Sequence, residues 1–299
     1  MSDQAKKIII MGLPEAGKTS FLAGLYYYAT NEIVGRKMKE RKPSANAAYL
    51  NRITDRWLQC ETPIRTKNEP SNSFKEVQLH LLHIENGMTI DLHIPDMTGE
   101  SYLQQFTDRL WEVGYKEEAD SSEGIILFIN PTKIKPHVLI DDIVKSFFLL
   151  EETDEGADDY KVAAPTNSTE AKNFDKEEVP TQIILCDLLF YHTQMLDFEK
   201  LPVAIIISAW DFVKKASPDI TPWQWIEQNM PLLFQYLKTN QSLFDLNVFG
   251  ISAQGGNFTE PDSKDEILKF DDPGDRFKVQ EEATVHNNIC APIEWLITR

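Results

Sequence analysis

One stretch near the N-terminus has the residue types and the spacing that polyphosphate binding needs. It reads Gly12-Leu13-Pro14-Glu15-Ala16-Gly17-Lys18-Thr19 and fits the pattern G-x-x-x-x-G-K-[ST] without a mismatch. Glycines let backbone N–H groups point into one concavity, and the helix that begins here adds the positive end of its dipole. We therefore predict that Lys18 reaches the β- and γ-phosphates and that the Thr19 hydroxyl binds Mg²⁺. The nucleotide-binding residues predicted here are Gly12, Pro14, Glu15, Ala16, Gly17, Lys18, Thr19 and Ser20.

A second candidate motif, D-x-x-G, lies further along the chain at Asp96-Met97-Thr98-Gly99. It follows the second strand of a hairpin that Asn86-Gly87 predicts between two alternating apolar runs. Ligands of open α/β sheets bind at the carboxyl ends of such strands. We expect Asp96 to hold Mg²⁺ through a water and the Gly99 N–H to meet the γ-phosphate.

The remaining elements form a frame for these two motifs. The apolar run 7–11 predicts a buried strand before the phosphate loop, and residues 19–31 predict a helix after it. Apolar runs at 125–129, 203–207 and 248–251 are typical of parallel strands covered on both faces. Helices are predicted at 101–111, 138–150, 181–191, 222–238 and 288–296.

Three segments are predicted as insertions into a single domain that spans residues 1–299. Residues 34–61 are predicted to be helical, with a break at Pro43 and an inserted helix over 45–60, followed by a loop over 61–73. The polar, acidic segments 151–178 and 254–282 are predicted to be mobile insertions. Each is either a tolerated, solvated loop or an arm that binds a partner.

Composition excludes several classes of function. The chain has 47 acidic and 30 basic residues and a formal charge of -17, which argues against a general nucleic-acid-binding face and against binding to an anionic membrane. Three isolated cysteines indicate neither a disulfide framework nor a zinc site, and they favour a reducing compartment such as the cytoplasm. No long apolar segment and no signal-peptide core are visible.

The histidines show no metal-ligand spacing, so the metal expected is Mg²⁺ brought by the nucleotide. Three of them, His80, His83 and His93, lie on the predicted hairpin, where we expect surface positions.

Phosphate loop, hairpin, D-x-x-G and a late strand that ends in an aspartate together resemble the translation-factor-related (TRAFAC) class of P-loop GTPases, which has a Ras-like core. The resemblance implies that Asp211 of Ser208-Ala209-Trp210-Asp211 pairs with guanine and that Ser208 supplies a hydroxyl. Ala209 replaces the family's lysine, which normally lies along the base. Trp210 either covers the base instead or packs against a neighbouring helix.

Further residues follow from the same resemblance. Ser252-Ala253-Gln254 is similar to the motif that offers a backbone N–H to guanine O6, so Ser252 and Ala253 are predicted to bind the nucleotide. The switch threonine, a ligand of Mg²⁺, is expected to be Thr66, beside a charge-stabilising Arg65, with Thr62 as the alternative. Glu100 stands where many members have the glutamine that orients the attacking water, and it implies slow turnover.

These features predict an α/β P-loop fold with a six-stranded, mostly parallel sheet, one antiparallel hairpin strand and helices on both faces. The predicted function is GTP binding with Mg²⁺ and slow hydrolysis to GDP, which switches an unidentified partner protein through segments 61–73 and 96–110. The long insertions and altered base motifs are similar to those of bacterial double-GTPase-type proteins of conflict or defence systems. Two alternatives stay open: a non-hydrolysing pseudo-GTPase that serves as an interaction module, and a P-loop ATPase or kinase.

Overall fold

A computed structural model describes residues 5–62, 76–95, 99–111, 113–136, 179–196 and 198–299. The strands in these residues form one nine-stranded sheet. They are β1 (Lys6–Gly12), β2 (Met38–Lys42), β3 (Val77–His83), β4 (Thr89–Ile94), β5 (Gly124–Ile129), β6 (Leu201–Ile207), β7 (Phe244–Ser252), β8 (Lys278–Glu281) and β9 (Thr284–His286). Their order across the sheet is β2-β3-β4-β1-β5-β6-β7-β8-β9.

The centre of the sheet is parallel and its two edges are antiparallel. Strands β4, β1, β5, β6 and β7 pair in parallel, with Ile8 opposite Leu92 on one side and Gly124 on the other. Strand β1 alternates, so that Ile8 and Ile10 enter the core on one face while Ile9 and Met11 enter the core on the other. The predicted α/β class is therefore confirmed, and the carboxyl ends of the central strands lie along one edge.

Helices cover both faces of this sheet. The described helices are α1 (Lys18–Thr30), α2 (Ala47–Leu58), α3 (Glu100–Asp108), α4 (Val113–Asp120), α5 (Thr181–Met195), α6 (Trp210–Ala216), α7 (Pro222–Asn229), α8 (Pro231–Thr239), α9 (Pro261–Ile267) and α10 (Ala291–Ile297). Helices α1, α2 and α10 pack on the face of Ile8 and Ile10, and α3 to α8 contribute to the core on the opposite face. None of these helices has the length and apolar character required to cross a lipid bilayer.

The predicted number of six strands was wrong, because β2, β8 and β9 lie at the sheet edges, where a strand needs little apolar surface. Strand β2 reads Met-Lys-Glu-Arg-Lys and buries Met38 fully, whereas its charged residues face outward at least in part. Residues 38–42 were predicted to be helical, but they pair with β3 instead. The inserted helix predicted over 45–60 is present as α2.

The segment 254–282, predicted to be a mobile loop, contains helix α9, a 3-10 turn at Pro273–Arg276 and strand β8. Its apolar side chains Phe277 and Val279 are buried, and β8 pairs with β7. The predicted helix over 222–238 is two helices, because Pro231 has no N–H to continue the first one and begins the second.

The hairpin prediction is confirmed by the antiparallel pairing of β3 with β4, and Gly87 in its loop has a φ of +71°. The surface positions expected for His80, His83 and His93 were wrong: all three side chains are buried. The predicted helix over 138–150, the acidic segment 151–178 and most of the loop over 61–73 lie outside the described residues.

Candidate functional site

The loop between β1 and α1 has a backbone conformation that glycine adopts easily and other residues adopt rarely. Gly17, the residue before α1, has a φ of +100°, and a Cβ atom there would lie 2.6 Å from the Ser208 Cβ. No side chain fits this position without movement of the chain after β6. Two features therefore favour glycine at position 17: its positive φ and the close approach of Ser208, which lies just after β6.

Lys18 lies inside this loop and is only 4% exposed. Its Nζ donates hydrogen bonds to the carbonyl oxygens of Gly12, at 2.5 Å, and Leu13, at 3.3 Å, and lies 5.9 Å from the ring centroid of Tyr102. A buried ammonium surrounded by carbonyl dipoles is a fixed positive charge. The loop thus holds the charge that a polyphosphate requires, while Thr19, the next residue, is half-buried.

Gly99 brings the beginning of α3 against the phosphate loop. Its φ is +80°, and a Cβ atom there would lie 2.5 Å from the Gly12 carbonyl oxygen and 2.7 Å from Lys18 Nζ. The predicted γ-phosphate contact and the predicted phosphate lysine are therefore neighbours. Glu100 is the first residue of α3 and is exposed. Three further predicted site residues, Arg65, Thr66 and Asp96, lie outside the described residues.

A cavity of about 670 Å³ opens beside this loop. It lies at the carboxyl ends of β5, β6 and β7, and its volume suits a ligand of the size of a nucleoside. Its lining includes six residues that sequence analysis predicts to bind a nucleotide, namely Gly17, Ser20, Ser208, Asp211, Ser252 and Ala253.

Two segments that are far apart in the sequence meet in this cavity. The Asp211 carboxylate accepts a hydrogen bond of 2.5 Å from the Ser252 hydroxyl, and Ser252 Oγ accepts one of 3.1 Å from the Gly255 N–H. Asp211 belongs to the first turn of α6, directly after β6, and Ser252 ends β7. The bond orients one carboxylate oxygen toward the β7 end and leaves the rest of the carboxylate at the cavity wall.

Ser208 has a hydroxyl suited to a ligand. Its Oγ is buried and has no hydrogen-bond partner in the part of the chain that the structure describes. A buried, unpaired hydroxyl is costly unless a ligand or water satisfies it. Ser208 lines the cavity beneath Gly17, so its hydroxyl lies where the loop and the cavity join.

Trp210, predicted either to cover the base or to pack against a neighbouring helix, is not among the residues that line the cavity. The indole is 2% exposed and donates a hydrogen bond of 2.9 Å from Nε1 to the Gln280 side chain. It also covers Gly250 of β7, where a Cβ atom would lie 2.2 Å from the ring. The aromatic residues that line the cavity are Phe21, Phe128 and Phe212. Phe212 is 55% exposed, and it was missed because its place after Asp211 has no motif.

Two polar residues of the site also escaped prediction by motif. Asn130, directly after β5, lines the cavity and donates a hydrogen bond of 2.8 Å to the Glu15 carbonyl oxygen of the phosphate loop. Gln254 replaces the lysine of the family motif and donates a hydrogen bond of 3.0 Å to the Ser20 hydroxyl on α1. Both bonds join a strand end to the phosphate loop or its helix, so both support the shape of the cavity.

Trp57 of α2 supports the cavity from behind. Its Nε1–H donates a buried hydrogen bond of 2.9 Å to the Ala253 carbonyl oxygen, and its ring stacks on Phe277 with centroids 5.5 Å apart. Arg276 lies over the same indole, with its guanidinium carbon 5.2 Å from the ring centroid. The loop after β7 is thus held by a side chain from the inserted helix.

We expect Trp57→Phe to accelerate release of the predicted guanine nucleotide by roughly tenfold, because the Ala253 carbonyl loses its partner while the aromatic stack stays. Stopped-flow release of fluorescent GDP measures this rate. Trp223→Phe, on α7 outside the cavity lining, is the matched control and should leave the rate unchanged. Equal release rates for the two variants would contradict a role for the Trp57 hydrogen bond.

Comparison with known proteins gives a match to one protein-family model. A family model described as Double-GTPase 1 matches residues 9–296. No curated protein matches the chain. Among solved structures, the signal recognition particle receptor SRb-GTP/SRX complex from Chaetomium thermophilum is 13% identical, with a TM-score of 0.37 and coverage of 84% of this chain and 91% of that chain. The G domain of the T. maritima FeoB iron transporter is 15% identical, with a TM-score of 0.29 and coverage of 89% and 100%.

Proposed function

The chain belongs to the Double-GTPase 1 family of GTP-binding proteins. From this premise we propose that it binds GTP in the described cavity and hydrolyses it slowly. We propose that this cycle switches the binding of a partner protein. The observation that carries the proposal is the hydrogen bond between Asp211 and Ser252 in a cavity that continues into the phosphate loop. We propose that residues 1–299 form a single G domain.

Base recognition is assigned to Asp211. A carboxylate accepts hydrogen bonds from the N1 and N2 groups of guanine, whereas adenine offers no donor at these positions. Ser252 supports this role because its hydroxyl already occupies one oxygen of Asp211 and so orients the group. The exposed ring of Phe212 supplies apolar surface in the cavity that lacks the family's lysine stem.

Phosphate chemistry is assigned to the loop. Lys18 exchanges its hydrogen bonds to the Gly12 and Leu13 carbonyl oxygens for the β- and γ-phosphate oxygens, and the N–H groups of the loop and of Gly99 hold the remaining oxygens. The Thr19 hydroxyl fits Mg²⁺, which prefers oxygen ligands, and Asp96 and Thr66 are proposed to complete its protein contacts. Mg²⁺, when bound, neutralises charge on the transferred phosphoryl group.

Slow hydrolysis follows from Glu100. This exposed residue begins α3 next to Gly99, where a water in line with the γ-phosphate would lie. A carboxylate accepts a hydrogen bond from that water but repels the phosphate, so it orients the nucleophile poorly. Arg65, on the proposed switch segment, is the residue assigned to stabilise the developing charge.

The proposed output is a change in the segments around the γ-phosphate. Gly99 lies against the loop, so the 96–110 segment senses whether a γ-phosphate is present, and segment 61–73 is proposed to respond through Thr66. A bacterial conflict or defence system is the setting that the resemblance implies. A cytoplasmic location stays a prediction from cysteine usage.

Asp211→Asn is the test of the proposed function. We expect this variant to bind GDP roughly 100-fold more weakly than wild type. The substitution replaces one of the two carboxylate oxygens, which accept hydrogen bonds from the guanine N–H groups, by an amide NH₂ group that cannot accept them. Equilibrium binding of fluorescent GDP, GTP analogue and ATP analogue with Mg²⁺ measures both affinity and base preference. Asp262→Asn, which removes another carboxylate of the same cavity lining, should retain the guanine preference.

Three outcomes would overturn parts of this proposal. Equal effects of Asp211→Asn and Asp262→Asn on the guanine preference would show that Asp211 does not recognise the base. Tighter binding of the ATP analogue than of the GTP analogue would favour an ATPase. Tight guanine binding without hydrolysis in a single-turnover assay would favour the pseudo-GTPase.

A further inference from the structure

A second cluster of metal-binding residue types lies away from the nucleotide cavity. It combines His93 near the end of β4, Glu118 on α4 and Glu76 directly before β3. The nearest ligand atoms of the three side chains all lie within 4.8 Å of one another. His93 Nδ1 is 2.8 Å from a Glu118 oxygen and 3.5 Å from a Glu76 oxygen.

These separations match a tetrahedral metal site. Zinc binds imidazole nitrogen and carboxylate oxygen at about 2.0–2.2 Å, which places tetrahedral ligands roughly 3.3 Å apart. One nitrogen and two carboxylate oxygens are a ligand set used by zinc, with the fourth position left to water. The two distances from His93 Nδ1, 2.8 Å to Glu118 and 3.5 Å to Glu76, lie on either side of this separation between ligands.

The state of His93 is a second and independent indication. Its side chain is 9% exposed, and its Nδ1 has no hydrogen-bond partner among the described residues, since the contact with Glu118 is not aligned for one. A buried ring nitrogen directed at two carboxylates needs either a proton or a cation between them.

In the described structure, the Lys7 ammonium supplies a positive charge beside Glu118. This ammonium forms an ion pair with Glu118 and donates a hydrogen bond of 2.7 Å to the Ser121 hydroxyl. The lysine stem is long and flexible, so the ammonium can withdraw toward Ser121 when a divalent ion arrives. Lys7 therefore competes with a metal ion for Glu118.

From this geometry we propose that Glu76, His93 and Glu118 form a Zn²⁺ site that joins β3, β4 and α4 and that competes with Lys7. The site is separate from the Mg²⁺ of the nucleotide, because its residues do not line the cavity. Glu76 lies three positions after segment 61–73, and Asp96 lies two positions after the last residue of β4. A bound Zn²⁺ would therefore hold the strand ends from which both proposed switch segments begin or end.

Titration of the full chain with Zn²⁺ in excess Mg²⁺, followed by calorimetry, tests the site. We expect one Zn²⁺ to bind per chain and His93→Gln to weaken binding by roughly 100-fold or more. Glu76→Gln removes a partly exposed ligand that the fold does not need, and it should weaken binding by roughly tenfold. Glu117→Gln, an exposed neighbour on α4, should leave binding unchanged.

Lys7→Met separates a metal site from an ordinary ion-pair network. Removal of the competing ammonium should tighten Zn²⁺ binding by roughly tenfold. Circular dichroism of each variant establishes that it is folded. No Zn²⁺ binding by wild type, equal affinity in wild type, Glu76→Gln and His93→Gln, or weaker binding by folded Lys7→Met would overturn the proposal. None of these outcomes depends on whether the cavity binds GTP.

Discussion

Lys18→Ala is expected to reduce single-turnover GTP hydrolysis by roughly 1,000-fold. The ammonium is the charged group that the described structure places inside the phosphate loop, and it is only 4% exposed. Such a preorganised charge acts where water cannot screen it, so its loss falls mainly on the transition state. Hydrolysis of radiolabelled GTP by excess protein measures the chemical step without the contribution of product release.

Lys133→Ala is the matched control for this prediction. Lys133 forms an ion pair of 2.7 Å with Glu15 of the same loop, but its side chain is 51% exposed. Its removal takes away a nearby positive charge that solvent already screens, so hydrolysis should change by less than roughly threefold. Equal losses in both variants would show that net charge near the loop, and not the position of Lys18, supports hydrolysis.

Wild-type protein that binds GTP but does not hydrolyse it would contradict the enzymatic part of the proposal. In that case Glu100→Ala should have the same inert nucleotide occupancy as wild type. Measurable turnover that Lys18→Ala abolishes would instead exclude the pseudo-GTPase alternative. The two variants together therefore separate a slow enzyme from a binding module.

The parts of the site that could be predicted from sequence are those in which a local motif lies at the carboxyl end of a buried strand. The pattern around Gly17 and Lys18 specifies a loop by itself, and β1 is apolar on both faces. Asp211 and Ser252 are 41 positions apart, but Asp211 lies shortly after β6 and Ser252 is the last residue of β7, which pairs in parallel with β6. Because neighbouring parallel strands end at the same edge, their meeting follows from topology, although no sequence pattern contains the hydrogen bond itself.

The edge strands could not be predicted, because their pairing depends on tertiary contacts. Strand β8 buries Val279 and Gln280 against β7 and β9, and strand β2 buries mainly Met38. A strand with so few apolar residues has no alternating pattern to detect. The spacing of apolar residues from Met38 onward therefore predicted a helix over 38–42, and the polar, acidic composition predicted a loop over 278–281.

Trp210 shows that neighbouring residues of one motif can lie in different parts of the structure. Ala209, the residue directly before α6, has a φ of +46°. In the helix that follows, Asp211 lies at the cavity and Trp210 lies in the core. The signal for this outcome was Gly250, since a glycine inside an apolar strand indicates close approach of another group. Here the group is the indole, which lies where a Cβ atom at Gly250 would be.

Gly17→Ala is expected to weaken GDP and GTP binding by roughly 1,000-fold, because two separate costs fall on one methyl group. A φ of +100° is unfavourable for alanine, and the added Cβ atom would lie 2.6 Å from the Ser208 Cβ. Relief of that contact must move either the phosphate loop or the end of β6, and both of these line the site. Equilibrium binding of fluorescent GDP measures the loss.

Gly87→Ala separates the two costs. Gly87 also has a positive φ, of +71°, but apart from its two chain neighbours no described residue has an atom within 4 Å of the position that its Cβ would occupy. This variant should therefore lose about 1 kcal/mol of stability to backbone strain and bind GDP as wild type does. If Gly17→Ala also binds GDP normally, the loop adapts to a side chain, and the contact with Ser208 does not determine the shape of the phosphate site.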